Sequence, residues 1–155
     1  MELEGLNFLD YQDQLQLKTE QGKRYIYDPI RRKYLVLQPE ELVRQLIVQY
    51  LILEKGYSAN RISIELGLKV NDMQKRCDIL IYNEAVKPLF IVECKAPSVA
   101  MTDAVFKQIA TYNIPLKVPY LLVSNGIVSY CCKIIHEEAR FEFLFEIPDY
   151  STISK

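Results

Sequence analysis

Glycine and proline are sparse in this chain of 155 residues, five and seven respectively. So few chain breakers, with no low-complexity tract, exclude the collagen-like and Pro/Gly-rich disordered classes. Long hydrophobic runs are missing as well. Pro119 to Val123 is among the longest, far below the ~20 apolar residues with which a helix spans a bilayer. The start, MELEGLNFLD, is acidic and lacks the basic-then-apolar layout of a secretory signal, so no membrane association and a cytoplasmic location are expected. Cysteine is limited to Cys77, Cys94, Cys131 and Cys132. These show neither the CxxC spacing of a zinc site nor the density of a secreted scaffold, and are read as reduced and mostly buried. The one histidine, His136, stands beside Glu137 and Glu138 with no second histidine or suitable cysteine nearby, and is expected to be a solvated loop residue. No GxxxxGK[ST] phosphate loop occurs, so ATP-driven motor chemistry is not expected within these residues.

What is present suits a globular domain: 50% apolar residues, 25% charged, net charge -1. The length fits one domain that folds without disulfide or metal staples, divided here into an N-terminal arm (1–22), a core (23–147) and a C-terminal tail (148–155). The arm has no clear period and is read as an arm or a short docking element. RYIYDPIRRKYLVL alternates aromatic and polar residues around Asp28-Pro29, which predicts a hairpin. Gln38-Pro39-Glu40-Glu41 opens a helix ending before Gly56, since proline suits the first turn and acids favour the helix dipole. Its apolar residues, Leu53 included, cover so much of its circumference that it must be largely buried. Strands are expected over 61–68, 76–82 and 89–95, then a helix from its N-cap Thr102 to about Asn113. Strands over 118–124 and 127–134 flank the Asn125-Gly126 turn, and 140–147 is the last strand. The sum is an α+β domain (α/β/α-like) with a mixed central β-sheet flanked by helices.

Charge interrupts two strongly β-forming runs in RCDILIYNEAVKPLFIVECKAP, Arg76 to Pro97. Strand alternation puts Glu93 and Lys95 on one face with Leu89 and Ile91, and Phe90, Val92 and Cys94 on the other. Asp78 begins the preceding strand, and the NEAVKP loop suits antiparallel neighbours, so Asp78, Glu93 and Lys95 are expected to converge at the strand ends. A structural Glu93–Lys95 ion pair is the plain alternative, disfavoured because buried pairs stabilise poorly. Hydrolysing a phosphodiester needs an attacking hydroxide and neutralisation of transition-state charge, which a divalent metal provides. Magnesium accepts one or two carboxylates and keeps its waters. Asp78 and Glu93 are its expected ligands, with the Cys94 carbonyl as a further oxygen, and Lys95 would orient the water or stabilise the charged transition state.

A second charge feature is KRYIYDPIRRK, with five cations and one aspartate. Lys23, Arg24, Arg31, Arg32 and Lys33 are candidates to meet phosphates, the bland alternative being a solvated hairpin with basic tips.

Asp, a hairpin-length gap and Glu-x-Lys on a hydrophobic strand resemble the PD-(D/E)xK nuclease superfamily. DPIRRKYLVLQPEELVRQ, KRCDILIYN, LFIVECKAP, QIATYN and VPYLLVSNG, in this order, resemble the N-terminal nuclease domain of type I restriction enzyme R subunits. The resemblance implies a restriction-endonuclease-like core, DNA as substrate, and Mg2+ as cofactor with Mn2+ as substitute. It adds an acid of the first core helix to the metal cluster, matching Glu41 with Glu40 as the adjacent alternative; a helix-start acid is the simpler role. It also implies a Gln and Tyr four apart, matching Gln108 and Tyr112. That spacing places both on one helix face, Gln108 toward a phosphate or the metal's water and Tyr112 packed beneath on the DNA side; a surface Gln with a core Tyr is the alternative. The expectation is a metal-dependent DNA endonuclease without its own motor, served by another subunit for targeting or motor activity. The alternative is a non-catalytic DNA-binding or assembly module.

Overall fold

Two sheets carry the β-structure of the computed structural model, which describes residues 1–70 and 73–155. The smaller is antiparallel, in the order β1 (Leu17–Glu20), β2 (Lys23–Asp28), β3 (Lys33–Val36). Alternation along β2 buries Ile26 and Asp28 and leaves Lys23, Tyr25 and Tyr27 on the outer face. The expected hairpin at Asp28-Pro29 is present. Its turn is set by the Asp28 carboxylate, which accepts from the backbone N–H groups of Ile30 (2.7 Å) and Arg31 (3.1 Å), as aspartates do in turns.

The larger sheet follows the order β4 (Ile62–Val70), β5 (Met73–Tyr82), β6 (Pro88–Cys94), β7 (Tyr120–Ser124), β8 (Ser129–Ile135), β9 (Arg140–Phe143). All neighbours are antiparallel except β6 and β7. That parallel pair requires a crossover, supplied by helix α2 (Asp103–Asn113), whose N-cap Thr102 accepts from the Val105 N–H at 3.2 Å. Helix α1 (Pro39–Lys55) runs from Pro39 to a C-cap at Gly56, where φ is 73°. The result is the expected α+β architecture, a mixed sheet flanked by helices, consistent with a restriction-endonuclease-like core.

Each sheet face has its own core. Val43, Leu46, Ile47 and Leu51 of α1 pack with Ile79, Ile81, Phe90, Val92 and Cys94. On the opposite face Cys77, Leu80 and Ile91 meet Phe106 and Ala110 of α2. Each fully buried Leu, Ile or Val contributes roughly 1.5–3 kcal/mol, so the two layers fix the sheet between the helices.

The chain ends are docked. Leu3 and Phe8 donate backbone hydrogen bonds to Ser129 (2.7 Å) and Gly126 (2.8 Å), and Phe8 meets Tyr50 edge-on at 5.2 Å. Gly126 has φ 91°, and a Cβ there would lie 3.1 Å from Val43. At the other end a short helix, α3 (Tyr150–Ile153), is pinned by the Tyr150 hydroxyl donating to the Tyr82 carbonyl at 2.9 Å.

Four expectations change in detail. Leu89 packs on the α1 side with Phe90 rather than with Ile91, because the β5–β6 register shifts at Ile81/Tyr82. Leu53 is 58% exposed. The last strand stops at Phe143 because the chain leaves the sheet, exposing Phe145, to bury Ile147 in the α1-side core. His136 lies in a short 3-10 turn, where its Nδ1–H donates to the Ile114 carbonyl at 3.0 Å, and is half-buried. Among the described residues no helix is long and apolar enough to cross a membrane.

Candidate active site

The pairing of β5 with β6 ends at Ile79–Val92, and Asp78 and Glu93 are the next residues on the two strands. The Asp78 Oδ2 accepts the backbone N–H of Cys94 at 2.7 Å, which sets this carboxylate against the peptide that links Glu93 to Cys94. Strand β6 ends at Cys94, so Lys95 lies just past it rather than within it; its N–H donates to Ser124 at 2.8 Å and the residue is half-buried. Pairing with β7 places Glu93 opposite Val123.

Around this junction the carboxylates are neutralised in two groups. On the α1 side, Arg44 is 6% exposed and spans Glu41 (3.0 Å), Glu65 (3.5 Å) and Asp78 (3.5 Å). Arg31 reaches Asp28, Glu41 (2.8 Å) and Glu65 (3.6 Å). Burial works against the Arg31 charge, but the hydrogen bonds it donates to Asp28 and Glu41 outweigh it and raise its pKa. Gln45 donates to the second Glu41 oxygen at 3.1 Å. Glu65 has φ 54°, and the regular β4–β5 pairing passes over it and Asp78. Such backbone strain costs on the order of 1–3 kcal/mol and gathers at sites the surroundings over-determine. On the α2 side Glu93, 10% exposed, is paired with Lys75 and accepts from the Asn113 amide at 3.3 Å. The ion pairs at the junction leave out Lys95. The adjacent thiols are not nucleophiles: burial pushes Cys77 up to about 11 and Cys94 well above the usual thiol range.

The sequence matches the family described as "Type I restriction enzyme R protein N terminus" over residues 39–148. The chain belongs to that family. No curated protein matches it. The span matched to the R protein N terminus runs from the first turn of α1 to just before α3, and so includes Glu41, Asp78, Glu93, Lys95, Gln108 and Tyr112; β1 to β3 precede it.

Within this R protein N-terminal fold, the expected site residues are brought together unequally. Asp78 is tied to the backbone between Glu93 and Lys95 by the Cys94 N–H, while its carboxylate lies with Arg44 on the α1 side and that of Glu93 with Lys75 and Asn113 on the α2 side. Glu41 reaches Asp78 only through Arg44, and Glu40 is exposed. Among the described residues no three His, Cys, Asp or Glu side chains form a group that could hold a metal. Two carboxylates suffice for magnesium, but Asp78 is held on the α1 side by Arg44 and Glu93 on the α2 side by Lys75, so a shared ion would require one of them to turn. Gln108 is exposed on α2. Tyr112 is 51% exposed, not packed beneath it, with the Lys75 ammonium 5.0 Å from its ring centroid. Lys23, Arg24, Arg32 and Lys33 are exposed on the hairpin, whereas Arg31 is turned inward by Asp28, Glu41 and Glu65.

The residues sequence reasoning missed are Arg44, Glu65, Lys75 and Asn113. Arg44 carried a signal, the i,i+3 spacing from Glu41. The roles of Glu65, Lys75 and Asn113 arise from pairing across strands and helix, which no local pattern announces.

Proposed function

We propose that the chain is a metal-dependent DNA endonuclease of the type I restriction R-subunit N-terminal kind, hydrolysing phosphodiester bonds. The observation that supports this is the Asp78 carboxylate on the Cys94 N–H, which ties Asp78 to the backbone between Glu93 and Lys95. Asp78 and Glu93 would hold Mg2+, or Mn2+ in its place, with Glu41 as an outlying acid on the α1 side. The ion would supply charge neutralisation and a more acidic water. Lys95, which enters no ion pair among the described residues, would orient the attacking water or meet the negative charge that develops on the phosphate. Gln108 offers an exposed amide, and Tyr112 an exposed ring, to the DNA backbone. Lys23, Arg24, Arg32 and Lys33 attract phosphates without reading bases. A partner subunit supplying targeting or motor activity belongs to this reading, as does cytoplasmic residence, which four free, buried thiols support.

The test is nicking or linearisation of plasmid DNA with Mg2+ or Mn2+, beside EDTA and Lys95→Ala controls. Cleavage that persists in Lys95→Ala would rule out this site. One observation favours a second reading, a non-catalytic DNA-binding module: each carboxylate at the junction is already neutralised by Arg44 or Lys75. Salt-sensitive DNA binding with no calorimetric Mg2+ uptake, unchanged in Asp78→Asn, would select that reading.

A further inference from the structure

The outer face of the β1–β2–β3 sheet combines two features that rarely share an exposed surface by chance. Across its register, Lys18 pairs with Tyr25, Tyr25 with Val36, and Tyr27 with Tyr34, so Lys18, Tyr25, Tyr27, Tyr34 and Val36 occupy one side. Tyr34 is 39% exposed and meets Tyr27 at 5.2 Å. The Lys18 ammonium lies 4.2 Å from the Tyr34 ring centroid and 5.7 Å from that of Tyr25. Four exposed cations lie on the same hairpin: Lys23 shares the face of the rings, Arg32 stands between β2 and β3, and Arg24 and Lys33 alternate to the other face; the ion pairs of the described residues include none of them. The hairpin carrying them is anchored at its turn: Asp28 holds Arg31, Arg31 holds Glu41, and Arg44 links Glu41 to Asp78. This sheet lies outside the span matched to the R protein N terminus.

We propose that this face is a platform for single-stranded DNA, with Tyr25, Tyr27 and Tyr34 stacking on unpaired bases while Lys23 and Arg32 follow the phosphates. The proposal rests on the nucleic-acid reading above and deepens it by naming the strand state. Exposed aromatic rings gain little from duplex DNA, whose bases are stacked on each other, whereas every unpaired base presents a face to them. The uncommitted cations supply the charge complementarity that selects a polyanion over an apolar partner. The ion chain through Asp28, Arg31, Glu41 and Arg44, on the other face of the hairpin, ties the platform to the α1 side of the domain.

The experiment is fluorescence anisotropy of the whole chain in EDTA with a labelled single-stranded DNA oligonucleotide, its blunt duplex, and the RNA of the same sequence. The single strand of DNA is expected to bind most tightly. Tyr34→Ala and Tyr25→Ala should each weaken that binding roughly tenfold, with circular dichroism unchanged, and Tyr34→Phe should restore it because the ring face is kept. Arg32→Ala should lower affinity and flatten the salt slope by about one. Equal binding of duplex and single strand, alanine variants that bind like the parent, or a preference for the RNA would each overturn the proposal. Binding in EDTA is read independently of cleavage. A chain that binds as expected yet never cuts sinks the nuclease reading alone; one that cuts but ignores its tyrosines sinks the platform alone.

Discussion

The two faces of the large sheet neutralise their acids by different means. Toward α1, two arginines each bridge three carboxylates: Arg31 joins Asp28, Glu41 and Glu65, and Arg44 joins Glu41, Glu65 and Asp78. Toward α2, Glu93 has a lysine and one amide. A guanidinium is a rigid fork that keeps its charge, while an ammonium is a point charge on a flexible stem. The contrast makes the Asp78 side the scaffold and the Glu93 side the part that can yield, so under the proposed function an incoming cation would displace Lys75 before Arg44.

The largest expected effect separates these sides directly. Arg44→Ala strands Glu41 and Asp78 without their shared partner and should cost about 3 kcal/mol or more in urea unfolding. Lys75→Ala should cost only about 1–2 kcal/mol, because Asn113 still donates to Glu93. Equal losses would erase the distinction. Lys95→Ala is expected to lower DNA cleavage by roughly 100-fold or more while leaving the unfolding midpoint within about 0.5 kcal/mol of the parent; a large loss of stability would show Lys95 to be structural.

A pH series sharpens the same comparison with a smaller signal. Burial raises Cys77 above its ordinary value of 9.0 to about 11. With the folded pKa above the unfolded one, the native state binds more protons between them. Its stability is therefore fully present below 9 and declines as pH rises through about 11. Cys94, wholly enclosed on the α1 side, is raised further, chiefly by burial, so Cys77→Ala should soften only the first part of the alkaline decline in urea midpoint. The smallest effect is that of Tyr112→Ala. It removes the ring beneath the Lys75 ammonium and should cost about 0.5–1 kcal/mol.

Much of this architecture was legible in the residues. Pro39 and Gly56 delimit α1, Thr102 caps α2, and alternation in Phe90, Val92 and Cys94 gives the face of β6, because each signal acts within a few residues of its effect. For the site, the residues single out Asp78, Glu93 and Lys95, and the structure ties Asp78 to the Cys94 N–H between the other two. What escaped depends on pairing at a distance. Glu65 reaches Arg44 from an unusual backbone conformation, Lys75 meets Glu93 from another strand, and β1 gains its place only by pairing with β2. Tyr112 was expected beneath Gln108, yet spacing on a helix gives shared orientation and not depth. The Asn125-Gly126 turn was foreseen, but as a two-residue hairpin; the Asn125 side chain accepts from both Ile127 and Val128, so the loop takes four residues before β8 begins.

That turn also limits how the molecule can be re-engineered. Hairpin tips are usually safe points for insertion, but Gly126 lies under Val43 and receives the Phe8 N–H, so a tag or fusion there would pry the amino terminus off α1. The Glu84–Val86 tip between β5 and β6 is exposed, and is the better port for a fluorophore or a tethered targeting module.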